Sequence, residues 1–439
     1  MWQRVQQGVH SSLPKSEFAR ALGLLLVGSI AGAVIALAIT PIITHLYSPS
    51  NFGVMGVYIS LLTILTVSSM FRYEAAIPGA DTDEEAVSLV ALCIVMALMS
   101  SMSVGLFLLM VGKIVLRFSE LRVIWPYRYW LVFGMFSTGC YSVLSFWSVR
   151  VRDYGLLSRT KVTQSIGLAA TQVGLGIMHM GALGLILGQI VGQSAGISPI
   201  LKRLIKTNGS AVTNLHFHSL RKVAVRYQRF PKMSMPASFM EASANNLPLV
   251  FMAVVYGSSV AGWITLVQGV IFVPMSLLSR NIGQVYFGEL AEMKRNSPHL
   301  MRRAYASRLR QLAKLSFIGA VPIAILAPLV IPTLFGSSWK NSIVCLELLI
   351  PMMVLTFISS PFGCTLDVLE RQDIHLLRDI VRLLFTLASL GLAYWLKLEW
   401  RISLALISLA GCLGAGVYLW ISWIGVRDYR LPSELAVTK

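Results

Sequence analysis

ALGLLLVGSIAGAVIALAITPIITHLYSPSNFGVMGVYISLLTILTVSSMF, residues 21–71, is the stretch from which the rest of the chain is read. Residues 21–43 carry no charge and are mostly apolar, and as a helix they would extend roughly 35 Å, enough for a bilayer core. The polar break Tyr47-Ser48-Pro49-Ser50-Asn51 returns the chain into a second apolar run, 52–71, which stops at Arg72-Tyr73-Glu74. These are two membrane spans joined by a tight turn. Of the 439 residues 56% are hydrophobic and 13% charged, about half the charged share of an ordinary soluble protein. A water-soluble core would have no room for so much apolar side chain.

Applied outward, the same test gives further spans at 86–111, 129–149, 162–178, 182–201, 236–255, 260–278, 315–334, 343–362, 380–396 and 402–424. The expected fold is therefore an all-α integral membrane protein with twelve transmembrane helices in two six-helix bundles. Its parts are a cytoplasmic N-terminus (1–20), a first bundle (21–201), a cytoplasmic linker (202–235), a second bundle (236–424) and a cytoplasmic tail (425–439). Because 21–43 exceeds the apolar core of a signal peptide, it is read as a retained first helix. In the ninth span Pro322, Pro328 and Pro332 predict a bend or an interruption, and the basic segment before it is expected to break near Asn296-Ser297-Pro298.

The second half repeats the first. Setting Tyr47 on Tyr256 also puts Ser50 on Ser259, Gly53 on Gly262 and Arg72 within one position of Arg280, which predicts a parallel pseudo-repeat. In the sixth span Gly184, Gly188, Gly192 and Gly196 recur every fourth residue, a smooth face for close helix approach, with Gln189 and Gln193 at the same spacing beside it.

The formal charge of +18 comes from 37 Lys and Arg against 19 acids, and its distribution reads as topology rather than nucleic-acid binding. With the N-terminus inside, only Lys113, Arg117, Arg122, Arg128, Lys340, Lys397 and Arg401 face out, leaving the other 30 inside. Both termini should then be cytoplasmic, and the connector before the fourth span is the exception to the rule. The acidic cluster Asp81, Asp83, Glu84 and Glu85 suits the N-terminus of the third span. Cys93, Cys140, Cys345, Cys364 and Cys412 all fall in or beside spans with no CxxC pair, so neither disulfides nor zinc are expected. His216 and His218 have no accompanying ligand cluster, and no metal or cofactor is expected.

Polar residues at membrane depth are the candidates for function. Glu241 lies within the seventh span with Asn245 one turn on, an arrangement suited to cation coordination or proton coupling; Glu347 is a weaker candidate nearer a span end. Arg72, Arg280 and Arg150 close spans on the inner side, where guanidinium groups would attract an anion, and Arg378 and Arg382 would form a similar rim near the eleventh span. Gln164, Gln172, Gln189, Gln193, Gln268 and Gln284 supply neutral donors and acceptors suited to sugar hydroxyls and favour a wet interior. No nucleophile-and-base or paired-carboxylate motif marks an enzyme. The repeat favours a transporter of large amphiphiles over a channel; a membrane-embedded glycan polymerase or ligase, and a multidrug or cation antiporter, remain the alternatives.

The run TPIITHLYSPSNFGVMGVYISLLTILTVSSMFRYEAAIPGADTDEEA, residues 40–86, with Pro41, Tyr47, Pro49, Phe52-Gly53, Tyr58 and Arg72-Tyr73-Glu74, resembles the bacterial polysaccharide and O-antigen flippase family. That family lies within the superfamily of multidrug, oligosaccharidyl-lipid and polysaccharide exporters. The resemblance implies translocation of an undecaprenyl-pyrophosphate-linked oligosaccharide across the inner membrane by alternating access, coupled to a proton or sodium gradient. It implies a cationic site for the pyrophosphate at Arg72, Arg280 and Arg150, and work alongside a polysaccharide polymerase or chain-length machinery. No nucleic-acid partner is implied.

Overall fold

The computed structural model describes residues 15–115, 125–213, 215–296, 300–369 and 372–427, and every regular element among them is helical. Among the described residues nine helical segments are long and apolar enough to cross a bilayer, so the chain is an all-α, multi-pass membrane protein. It divides into two compact units, Met1–Ala242 with Gly257–Ser259, and Ser243–Tyr256 with Val260–Lys439.

The first unit opens with α1 (Lys15–Leu46) and α2 (Pro49–Ser69). The polar break between them is a helix cap: Ser48 is extended, its hydroxyl accepts from the Asn51 N–H at 3.4 Å, and Pro49 takes the first helical turn, where no N–H is needed. After α2, Phe71 and Arg72 both adopt left-handed φ (50° and 63°), making a sharp corner into a short 3-10 turn, Tyr73–Gly79. The acidic cluster then starts α3 (Asp83–Val115), with Asp83, Glu84 and Glu85 in its first turn. α4 (Arg128–Arg150) and α5 (Tyr154–Ile177) follow, α5 capped by Asp153, which accepts from the Leu156 N–H at 3.1 Å.

α6 (Ala182–Ala195), in the expected sixth span, is continued by α7 (Ile197–Thr213), and α8 (Phe217–Arg226) follows. The glycine ladder of α6 is the seat of α5. A Cβ at Gly192 would stand 2.9 Å from Leu168 Cβ and 3.1 Å from the Gln164 carbonyl, and one at Gly188 would collide with the Gln172 side chain. One core cluster gathers Met70, Tyr73, Ile77, Leu89, Leu144, Trp147, Ile200, Leu204, Val223 and Tyr227; a second holds Tyr58, Leu62, Met135, Ile186 and Ile190.

The second unit contains most of α9 (Met235–Tyr256), then α10 (Ser258–Val267), a π-helical segment Gln268–Phe272, α11 (Val273–Asn296), α12 (Met301–Phe335), α13 (Asn341–Ser359), α14 (Gln372–Trp395) and α15 (Trp400–Arg427). Of the bend or interruption expected here the interruption is absent: α12 runs as one helix through Pro322, Pro328 and Pro332. Each proline forfeits one backbone hydrogen bond, a loss that neighbouring groups absorb in membrane helices. A π segment, Gln268–Phe272, joins α10 to α11 in the eighth span. Ser297 and Pro298, where a break was expected, lie outside the described residues, as do Arg117 and Arg122. The core here is aromatic: Phe362 packs against Tyr286 and Tyr305, with centroids 5.1 and 4.4 Å away.

Three further long helices are less apolar. α5 carries Gln164 and Gln172, α9 carries Glu241, Asn245 and Asn246, and α14 carries Arg378, Asp379 and Arg382. Helix-end tyrosines are used alike in the two units: the Tyr47 hydroxyl donates to the Gln172 carbonyl at 2.7 Å, and that of Tyr256 to the Leu398 carbonyl at 2.9 Å.

Candidate functional site

The polar network of the second unit is built on α14. Arg378 and Arg382 are one turn apart and share a face. Arg378 donates from Nε and Nη2 to Asp379 Oδ1 at 2.8 and 2.6 Å, and its guanidinium lies 4.7 Å from the Tyr418 ring centroid. Asp379 is buried and Arg378 half-buried, with side-chain exposures of 6% and 13%. Arg382 reaches α9, where its Nη2 donates to Asn245 Oδ1 at 2.6 Å. Each of these last two residues sits ten positions into its helix, roughly 15 Å along it and close to its midpoint.

α14 starts at Gln372, earlier than the sequence suggested, and this moves both arginines from a rim into the body of a helix. The network brings together two guanidinium groups, the Asp379 carboxylate and the Asn245 amide. The oxygen of Asn245, anticipated as a cation ligand, is taken by a fixed cation. A phosphate oxygen makes a stronger, charge-assisted bond to a guanidinium than a neutral amide oxygen does.

In the first unit the charges cluster where α2 meets α3. Arg72 Nη1 lies 3.3 Å from Glu74 Oε1, while Arg72 Nε and Glu74 Oε2 are buried without a hydrogen-bond partner among the described residues. Glu74 is 2% exposed, and this burial pushes its carboxyl above the ordinary glutamate range against the opposing pull of Arg72. Arg150 is committed elsewhere: Nη2 is 2.9 Å from Asp83 Oδ1 and Nη1 donates to the Ala80 carbonyl. Arg226, at the end of α8, bridges Asp81 and Glu85, and the Tyr73 hydroxyl donates to the Ala224 carbonyl at 2.9 Å.

The remaining candidates stand apart. Arg280 is exposed on α11 and Glu241 on α9, and neither makes a hydrogen bond or ion pair to another described residue. Glu241 shares only a helix with Asn245. Gln189 and Gln193 are half-buried on α6. Gln172 Nε2 donates to the Leu185 carbonyl at 3.1 Å and Gln164 Nε2 to the Gln193 carbonyl at 3.4 Å, so these two glutamines fasten α5 to α6 rather than facing water. Among the described residues no group of three His, Cys, Asp or Glu side chains could hold a metal.

The helical plan places the chain in a structural class. It superposes on a multidrug resistance MATE family transporter of the MOP superfamily, in an inward-facing conformation, with TM-score 0.63 and 15% identity over 92% of this chain and 94% of that one. A MOP superfamily transporter from Pyrococcus furiosus, described for the reverse polarity of its binding pocket, matches with TM-score 0.57 and 16% identity over 93% and 94%. The fold is that of the MOP-superfamily transporters. Within that class the chain belongs to the polysaccharide biosynthesis protein family, whose profile matches residues 42–344, more than half of the chain. It is also 28% identical over 160 residues to the lipopolysaccharide biosynthesis protein WzxC of Escherichia coli strain K12, a match covering 36% of this chain and 32% of that protein. The resemblance read from residues 40–86 to the polysaccharide flippase family is borne out at the level of the family.

Proposed function

We propose that this protein flips a lipid-linked oligosaccharide with a pyrophosphate head across the bacterial inner membrane, by alternating access driven by an ion gradient. Twelve spans in two six-helix bundles with both termini cytoplasmic complete this reading. The three polar helices α5, α9 and α14 supply the spans beyond the nine apolar ones, and the matching roles of Tyr47 and Tyr256 support the pseudo-repeat. A polysaccharide polymerase or chain-length assembly is the partner that would consume the product.

The observation that carries the substrate reading is Arg382 resting on Asn245 near the middle of its helix, beside Arg378 and the buried Asp379. An arginine at membrane depth is costly and is retained for a pathway or ligand. A pyrophosphate fits it; a cationic drug does not. Arg280, exposed and unpaired among the described residues, and Arg72, whose Nε is unsatisfied, are the further anion-binding residues; Arg150 would first have to leave Asp83. Gln189 and Gln193 are assigned to the glycan, and Glu241, with Asn245 once Arg382 departs, to proton or sodium coupling.

The test is leaflet accessibility of lipid-linked oligosaccharide in oriented vesicles, with glycan chain length followed in the same samples. Movement without covalent change is expected, reduced at least about tenfold by Arg382→Ala or Arg280→Ala, the loss of one charge-assisted contact. Glu241→Gln is expected to abolish only the gradient dependence. Longer glycans without movement would replace the flippase by a polymerase, and normal movement in both arginine variants would remove the pyrophosphate site.

A further inference from the structure

From Tyr154 to Met240 the chain contains no Asp or Glu. Within that acid-free stretch, 202–232 holds eight Lys or Arg, and the structure sorts them by face. One side of α8 is docked on its own unit: Val223 and Tyr227, one turn apart, are buried, Arg226 bridges Asp81 and Glu85, and the Ala224 carbonyl receives the Tyr73 hydroxyl. The opposite side is open. Phe217, Arg221 and Val225 succeed one another every fourth residue, with Lys222 beside them and Arg229 continuing the line past the helix end. Phe217 is 82% exposed, Val225 60% and Met233 72%. Arg221, Lys222 and Arg229 are exposed and meet no described carboxylate, while Lys232 reaches only the neutral Gln228.

Topological bias explains the charges but not the bare aromatic and aliphatic side chains set among them. A helix docked by one flank whose other flank mixes cations with a phenylalanine and aliphatic residues has the composition of an interfacial helix. α7, which continues α6, repeats the mixture: Ile205 is 52% exposed between the exposed Lys202 and Lys206. We propose that the outer face of α8, with Arg229, Lys232 and Met233 beyond it, is a binding surface for anionic phospholipid headgroups of the cytoplasmic leaflet. The cations meet the phosphates and Phe217, Val225 and Met233 enter the headgroup and acyl boundary.

The full chain, carrying the photo-reactive amino acid benzoylphenylalanine in place of Phe217, is reconstituted in vesicles of phosphatidylcholine alone or with one-third phosphatidylglycerol. A second reporter in place of Leu326, an exposed residue of α12, serves as a control for lipid labelling and for folding. Each cation held near an anionic surface favours binding by about fivefold, so phosphatidylglycerol labelling at 217 should exceed its share of the lipid at least about tenfold and collapse at high salt. Replacing Arg221, Lys222, Arg229 and Lys232 by Gln should remove the preference while leaving labelling at 326 unchanged. Labelling at 217 in proportion to lipid composition, no lipid adduct there while 326 labels, or capture of a polypeptide in native membranes would each overturn the proposal.

Discussion

In the first unit the ion pairs gather at one end of the helices: Arg72 with Glu74, Arg150 with Asp83, Arg203 with Asp153, and Arg226 with Asp81 and Glu85. Its counterpart pairs Arg308 with Glu289 and Arg401 with Glu399 among the described residues, but also carries Arg378, Asp379 and Arg382 in the body of α14. The interior of the first unit is held by neutral groups, with glycines under α5 and glutamine amides donating to backbone carbonyls. Ion pairs in water are worth little, whereas buried ones are expensive to set up and to break. The first unit thus uses charge as fastening at its edge, and the second carries charge where stability alone would not put it.

The contrast is most exposed to failure at Asp379. Asp379→Asn strips Arg378 of its carboxylate inside α14 and is expected to cost about 3–5 kcal/mol. Thermal unfolding in detergent would read this as a large drop, and wild-type behaviour would mean that the network is hydrated and ordinary. Glu74 comes next. Its raised carboxyl pKa means that the folded state holds the proton more tightly than the unfolded chain does. Its contribution should therefore be lost as pH rises from about 4.3, the unperturbed value, through the raised folded value. Glu74→Gln retains the oxygen that faces Arg72 and should flatten the unfolding profile in that window; an unchanged slope would assign the pH dependence to other groups. The smallest effect is expected at Asp83, 70% exposed at the rim, where Asp83→Asn should cost about 1 kcal/mol or less. A loss as large as that at Asp379 would erase the distinction between edge and interior.

Much of the fold was legible because bilayer length and uninterrupted apolarity are local properties. The first hairpin, the Ser48 cap, the acidic start of α3 and the glycine ladder all follow from residues near one another in sequence. The network was not legible as a network. Arg382 and Asn245 are 137 residues apart, and which faces of α9 and α14 meet depends on how each helix is rotated in the packed unit. Gln164 and Gln172 misled for the same reason: an amide serves a sugar hydroxyl or a neighbouring carbonyl equally well, and only packing chooses. Arg226 gave a weaker signal that sequence reasoning passed over, since an acidic cluster and a long acid-free basic stretch in one unit invite pairing.

The three long helices outside the nine apolar segments, α5, α9 and α14, share one more property, which concerns how the chain is made. Each is followed, through a turn with a left-handed residue, by a markedly apolar helix: α5 by α6 at Gly181, α9 by α10 at Gly257, and α14 by α15 at Lys397. A lone helix bearing two arginines and an aspartate would meet a penalty of several kcal/mol on entering the bilayer by itself. In the twelve-span plan proposed above, entry as a hairpin with the apolar successor would lower that penalty. The short turns would keep the two helices of each such hairpin within a few residues of one another in translation.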